Sequence, residues 1–210
     1  KGWTSTLGMD NAAGVKFAQY LATKGEKFFA KAGKGWDDMN CDIKSGKVKY
    51  WITGPWAVST IENGNSKCTT KSVINKDYAV SAIPSFGGKT ARQFMGAKGG
   101  FISNSPSTDV VNATQLLTYL AGKTAGISYF NVDSFSPANK EALVVASNDP
   151  VIAAFAAAGR NAVPMPNIVA MDSVWDKWGK TEAKLLTGKS TNPAADWKAM
   201  TDAIKASIKG

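Results

Sequence analysis

The sequence predicts an α/β protein. Two short β-rich runs, residues 48–53 (VKYWIT) and 78–84 (YAVSAIP), stand in its first half. They alternate with stretches whose apolar residues recur at helical spacing, and from Ser107 onward helical patterns dominate. Strands interleaved with helices point to a sheet covered by helices.

The elements follow in order. Leu7-Gly8-Met9-Asp10-Asn11 reads as a turn feeding a helix in which Val15, Ala18, Leu21 and Ala22 share a face, ending near Gly25. A second short helix covers 37–44, and its adjacent acids Asp37 and Asp38 suit the positive end of the helix dipole. The run 48–53 predicts a short buried strand. Gly54-Pro55 breaks it, and a proline in the first turn predicts a helix over 55–62. Residues 62–70 (ENGNSKCTT) form a polar loop, 78–84 a further strand, and Ser85-Phe86-Gly87-Gly88 a turn. Residues 94–102 (FMGAKGGFI) are extended, but their three glycines indicate close backbone approach or a bend. Val110, Val111, Ala113, Leu116, Leu117 and Leu120 form a helical apolar stripe, followed by short helices near 124–131 and 137–146. Asp149-Pro150 caps a helix over 151–158 (VIAAFAAA), apolar enough to be buried. An irregular, proline-stiffened segment spans 161–168, and two helices, about 170–186 and 193–209, finish the chain.

Composition narrows the function. A chain of 210 residues can bury a sizeable core as one large domain or two small ones. No apolar run reaches the ~18 residues of a membrane-spanning helix. Lys1-Gly2-Trp3-Thr4 continues in mixed polar residues and does not read as an export signal, which fits a cytosolic, processed or cut chain alike. With no histidine, Ser-His-Asp and Cys-His nucleophilic machinery is excluded, and with two cysteines a zinc or copper site is not expected. Cys41 and Cys68 are either separate buried thiols or a disulfide, which would be worth roughly 3 kcal/mol on a chain-entropy argument. The net charge of +9 raises nucleic acid as a partner. Its carriers argue against that: scattered lysines such as Lys16, Lys24, Lys27, Lys177, Lys180 and Lys184 read as a solvated surface. Only Arg92 and Arg160 could supply a guanidinium fork.

Four segments then carry a resemblance. Residues 46–57 (GKVKYWITGPWA) resemble the strand-turn-helix of the maltose/maltodextrin-binding protein family that ends in Gly-Pro-Trp-Ala. Residues 78–88 (YAVSAIPSFGG) are similar to the family's next strand and its Pro-x-Phe-x-Gly turn. Phe94-Met95-Gly96 with Gly99-Gly100-Phe101-Ile102 is similar to its segment crossing between lobes, and Met165-Pro166-Asn167-Ile168 followed by Trp175 resembles its C-terminal signature. The four stand in order with matching spacing. They cover essentially the whole chain, but about the second half of a family member.

The resemblance implies a periplasmic-binding-protein-like (type II) two-lobe fold, of which this chain is a part. Residues 1–95 would begin the C-terminal lobe, 96–147 return through the N-terminal lobe with a hinge crossing at each end, and 148–210 supply the C-terminal helices. It implies a non-enzymatic receptor that binds an oligosaccharide, maltodextrin foremost, and delivers it to the permease subunits of an ABC importer. The location would be extracytoplasmic, periplasmic or lipid-anchored. That compartment favours the Cys41–Cys68 disulfide. The resemblance implies no cofactor, a monomer when complete, and a missing N-terminal portion without which this piece binds sugar poorly.

Sugars present apolar C–H faces and a rim of hydroxyls, so a receptor needs flat aromatic surfaces and planar polar groups. The resemblance puts Trp56 and Trp175 at ring-stacking positions, Trp36 at the far end of the cleft, and Met165 and Asn167 in the signature beside it. Gly96, Gly99, Gly100, Asp149 and Pro150 fall on the hinge crossings. Tyr50 and Trp51 are neighbours on the predicted strand and so point to opposite faces. Val58 and Asp176 stand where relatives carry aromatics, which thins the platform and opens the reading to another or shorter oligosaccharide. A glycosidase using Asp37, Asp38 and Asp172 and a non-transport surface glycan-binding module are the rival readings.

Overall fold

A computed structural model describes residues 7–28, 34–85 and 88–209. In chain order its elements are α1 (Ala12–Phe28), α2 (Trp36–Lys44), α3 (Val58–Asn63), β1 (Phe94–Met95), α4 (Val110–Leu120), α5 (Lys123–Asp133), α6 (Lys140–Ala146), α7 (Pro150–Ala158), β2 (Val163–Pro164), α8 (Asp172–Leu186) and α9 (Pro193–Lys209). Single 3₁₀ turns precede α3 and α8 and follow α7. The contacts divide the chain into two compact units, Lys1–Gly35 with Pro166–Gly210, and Trp36–Met165. In the first unit α1 packs on α8 and α9, which follow it by more than a hundred residues.

The first unit is a packed triple of helices. Ala18 and Leu21 of α1, Val174 and Leu185 of α8, and Trp197, Met200 and Ile204 of α9 make its core. Trp197 is its centre, meeting the rings of Phe17 at 5.9 Å and Trp178 at 5.4 Å, both edge-to-face. Its Nε1–H donates to the Met9 carbonyl at 2.9 Å, so the indole's polar end is satisfied inside. Thr201, fully buried, donates to the Lys198 carbonyl, and Lys205 pairs with Asp10. The helix expected to stop near Gly25 runs on to Phe28 across a break at that glycine.

The second unit is built from short helices and irregular chain. Val58, Ile74 and Val151 form its small core, flanked by Tyr78, Val80, Ala154 and Phe155. Asp149 accepts hydrogen bonds from the Val151 and Ile152 amides, and Pro150 opens α7, as the sequence predicts. Burial of α7 is confined to Val151 and Ile152 rather than extending along the helix. Cys41 and Cys68 are joined, tying α2 to the loop after α3.

Two strand expectations are corrected. Residues 48–53 form no strand among the described residues, and Tyr50 is 90 % exposed there instead of buried. Residues 78–84 contribute only an isolated bridge from Tyr78 to Ile74. β-branched and aromatic residues suit a pleated surface, but a strand exists only where a neighbour supplies its hydrogen bonds. One parallel pair does form, β1 with β2, setting Phe94 opposite Val163. Part of the turn expected at 85–88 lies outside the described residues.

Candidate functional site

The segment from α2 to α3 concentrates exposed aromatic surface. Trp36 begins α2 and is 43 % exposed. Its carbonyl accepts from the buried Asn40 amide at 3.1 Å, and its ring leans on that of Trp51, 4.9 Å away and tilted by 59°. The disulfide and the Asn65 side chain, which donates to the Asp37 carbonyl at 3.3 Å, hold the same turn of α2. Asp38 pairs with Lys67 at 2.7 Å, and the bond to that carboxylate holds the lysine above its usual range. Trp36 therefore sits on a rigid base.

Trp56 reaches the surface for a local reason. Pro55 starts a tight turn that continues into α3, and Ala57, Val58 and Ile61 are drawn into the interior. The residue before that buried pair is left outside, with the indole 54 % exposed. Lys44 caps the same helix by donating to the Ile61 carbonyl at 2.7 Å, and partial burial lowers its pKa.

Trp175 belongs to the other unit, near the start of α8. Val174 beside it is buried and Trp178 one turn on packs in the core, so Trp175 is turned outward at 48 % exposure. Asp176 is also exposed and pairs with Lys180 at 2.8 Å. Asn167 is exposed in this unit, ahead of the 3₁₀ turn Val169–Met171. Met165 ends the second unit, its side chain exposed and its amide donating to the Met95 carbonyl. Trp36, Trp56 and Met165 thus share one unit, and Trp175 and Asn167 the other.

The expected hinge residues are also placed. Gly96, Gly99 and Gly100 follow β1 in exposed irregular chain, with Gly100 lying close against Leu117 of α4. Asp149 and Pro150 make the start of α7. Among the described residues no group of three or more Cys, Asp or Glu side chains could hold a metal ion. Asp37 and Asp38 occupy the first turn of α2, and Asp172 opens α8.

Sequence reasoning missed two features. Trp51 leans on Trp36 although fourteen residues of helix, turn and irregular chain lie between them. Tyr78 donates to Glu62 at 2.7 Å, and burial first, then that carboxylate, raises its pKa well above the ordinary phenol value. The alternation of 78–84 gave no sign of a half-buried polar pair.

Comparison with known proteins agrees with these features. Residues 3–160 match the family model described as bacterial extracellular solute-binding protein. The structure is similar to a cyclo/maltodextrin-binding protein solved with maltotetraose, at 26 % identity and a TM-score of 0.69, covering 98 % of this chain and 51 % of that one. It is also similar to the maltose-binding periplasmic protein of Listeria monocytogenes solved with maltose, at 23 % identity and a TM-score of 0.72, over 99 % of this chain and 54 % of that one. A third likeness is to the maltose-maltodextrin binding protein of Alicyclobacillus acidocaldarius, at 23 % identity and a TM-score of 0.75, over 95 % and 52 %. The chain spans about half the length of each of these proteins. Their fold is the type II periplasmic-binding-protein fold expected from the sequence, and the α/β class holds although few strands form. The chain belongs to the family of bacterial extracellular solute-binding proteins, whose members are binders that work outside the cytoplasm.

Proposed function

We propose that the protein carrying this chain binds an oligosaccharide, maltodextrin foremost, in a cleft between two lobes and passes it to the permease of an ABC importer. One observation carries the reading. Trp36, Trp56 and Trp175 keep large parts of their rings in solvent, while Trp178 and Trp197 are packed away. Exposed indoles on supported turns are costly to keep without a ligand, and they are the surface that sugar C–H faces require. The likeness to a protein solved with maltotetraose supports the choice of sugar.

In this reading Trp56 and Trp175 stack on sugar rings, Trp36 extends the platform, and Met165 and Asn167 border it. Residues 1–95 and 148–210 belong to one lobe and 96–147 to a return through the other. Two features support those boundaries. Met95 is the last paired residue of β1, so the chain is free to leave at Gly96, and the cap of α7 re-establishes regular structure at Asp149. Gly96, Gly99 and Gly100 would absorb the φ/ψ change as the lobes close over the sugar. The permease would then read the closed state through its differential affinity for it. The protein works outside the membrane, periplasmic or lipid-anchored, as a monomer.

A different oligosaccharide within the same family is the second reading. Val58, where relatives carry an aromatic, is buried in the core and offers a ligand nothing, and Asp176 offers no ring. Titration of tryptophan fluorescence in the full-length protein with maltose, maltotriose and unrelated oligosaccharides tests both. A saturable shift with α-glucans that is lost in Trp56→Ala and Trp175→Ala is the expected result. A response to another sugar alone moves the specificity, and silence to all of them overturns the sugar-transport role.

A further inference from the structure

We propose that Gly54 is a positioning residue for the ligand-stacking ring, seating one face of the Trp56 indole on its own backbone and leaving the other face open. The inference rests on the sugar-binding role proposed for Trp56. Gly54 has φ −138° and ψ −174°, an extended conformation open to any residue, so its backbone does not demand glycine. The space around it does. A Cβ at position 54 would lie 2.5 Å from both Cη2 and Cζ3 of Trp56 and 2.9 Å from Cε3. Carbon atoms in ordinary contact are about 3.5–4.0 Å apart, so a methyl group and the ring cannot share this position.

The pattern of distances says which part of the ring is involved. An approach in the ring plane towards one carbon would leave that carbon's neighbours clearly farther away. Three consecutive ring atoms at such similar distances instead put position 54 over the ring face. Gly54 itself is buried and the indole is about half exposed, so the ring is a lid on the glycine with its outer face in solvent.

The backbone on either side is not free to yield. Pro55 has a fixed φ, and Ala57 and Val58 are anchored in the interior. The soft coordinates are the two side-chain torsions of Trp56. A methyl at 54 therefore swings the ring by roughly 1 Å or more and leaves the fold in place. Binding sites tolerate displacements of only about 0.5 Å, so the ring is lost to the ligand while the protein stays folded. Alanine also restricts the unfolded chain more than glycine does, so melting is expected to stay level or rise slightly. Loss of binding without loss of stability is the signature of a positioning role.

The test uses the full-length protein with Gly54→Ala, Trp56→Ala and the double variant. Maltotriose affinity is read by calorimetry, stability by thermal melting, and ring position by ¹⁹F NMR of 5-fluorotryptophan-labelled protein. The Trp56 resonance is identified by its absence in Trp56→Phe. Gly54→Ala is expected to move that resonance, keep the melting temperature, and weaken maltotriose about ten-fold, the scale of one well-placed aromatic contact. In the Trp56→Ala background it should change affinity no further. An unmoved resonance, or an equal added loss of affinity when Trp56 is already absent, overturns the proposal. Should the wild type bind no α-glucan, the sugar reading fails by that result alone, and the ¹⁹F arm still decides whether Gly54 places the ring.

Discussion

Gly14 sets a general rule against a particular contact. It lies in the first turn of α1, where its amide donates to the Asn11 side chain at 3.0 Å. Propensity alone says that alanine should stabilise this helix by about 1 kcal/mol. The structure predicts the opposite. A Cβ at position 14 would stand 2.0 Å from the Met9 carbonyl oxygen and 2.6 Å from Trp197 Nε1, the two atoms that hydrogen-bond each other at 2.9 Å. The methyl group is therefore driven into the bond that satisfies the buried indole, and one of its neighbours is backbone. Separating the pair costs about 1–3 kcal/mol and overpacking a further 1–3, so Gly14→Ala should lose about 1–5 kcal/mol net of the propensity gain. Urea unfolding followed by helical circular dichroism measures this as a lowered midpoint at unchanged slope. In a Trp197→Phe background the bond is already absent, and the same substitution should cost less. A midpoint at or above the wild type for Gly14→Ala would refute the reasoning.

Two further outcomes follow from the second unit. Removing the disulfide with Cys41→Ser and Cys68→Ser should lower stability by about 3 kcal/mol, and the wild type in reductant should fall to the same midpoint; indifference to reductant would show that the loop it closes contributes nothing. Tyr78 titrates above its ordinary value because burial and the Glu62 carboxylate disfavour the phenolate, so the fold binds its proton more tightly than the unfolded chain does. That contribution is complete below the ordinary phenol value of 10.0 and is lost as the pH rises from there towards the folded value, so Tyr78→Phe should flatten the alkaline fall in stability. An unchanged alkaline slope would count against the pairing.

The helices were legible because a helix closes its own hydrogen bonds. The cap at Asp149, the proline at the start of α7 and the long helices α8 and α9 all follow from local sequence. The runs 48–53 and 78–84 were not, although their composition suits a sheet better than β1 and β2 do. A ladder needs a partner in register, and composition reports only that a segment would suit one. The same limit applies to α4. Its stripe was read correctly as helical, yet Val110, Val111, Leu116 and Leu120 are exposed, because periodicity says which residues share a face and not what covers it.

Within the candidate site the three tryptophans were legible to different degrees. Met171, Val174, Trp178 and Leu185 are spaced by three, four and seven, the stripe that turns inward on a helix, and all four join the core. Trp175 lies at the edge of that stripe, four residues after Met171 and three before Trp178, so periodicity alone would allow it in the core and its place on the surface rested on the family resemblance. Trp56 needed more: Gly54-Pro55 announces a break, but only the burial of Ala57 and Val58 shows which way the next turn faces. Trp36 needed most, since its ring is braced by Trp51 from beyond a turn and an irregular segment that no periodicity describes. Gly54 is the extreme case. It reads as a helix-breaking glycine beside a proline, while its steric role depends on a ring two residues away that folds back over it. A contact of that kind arises from side-chain torsions, and residue spacing carries no record of them.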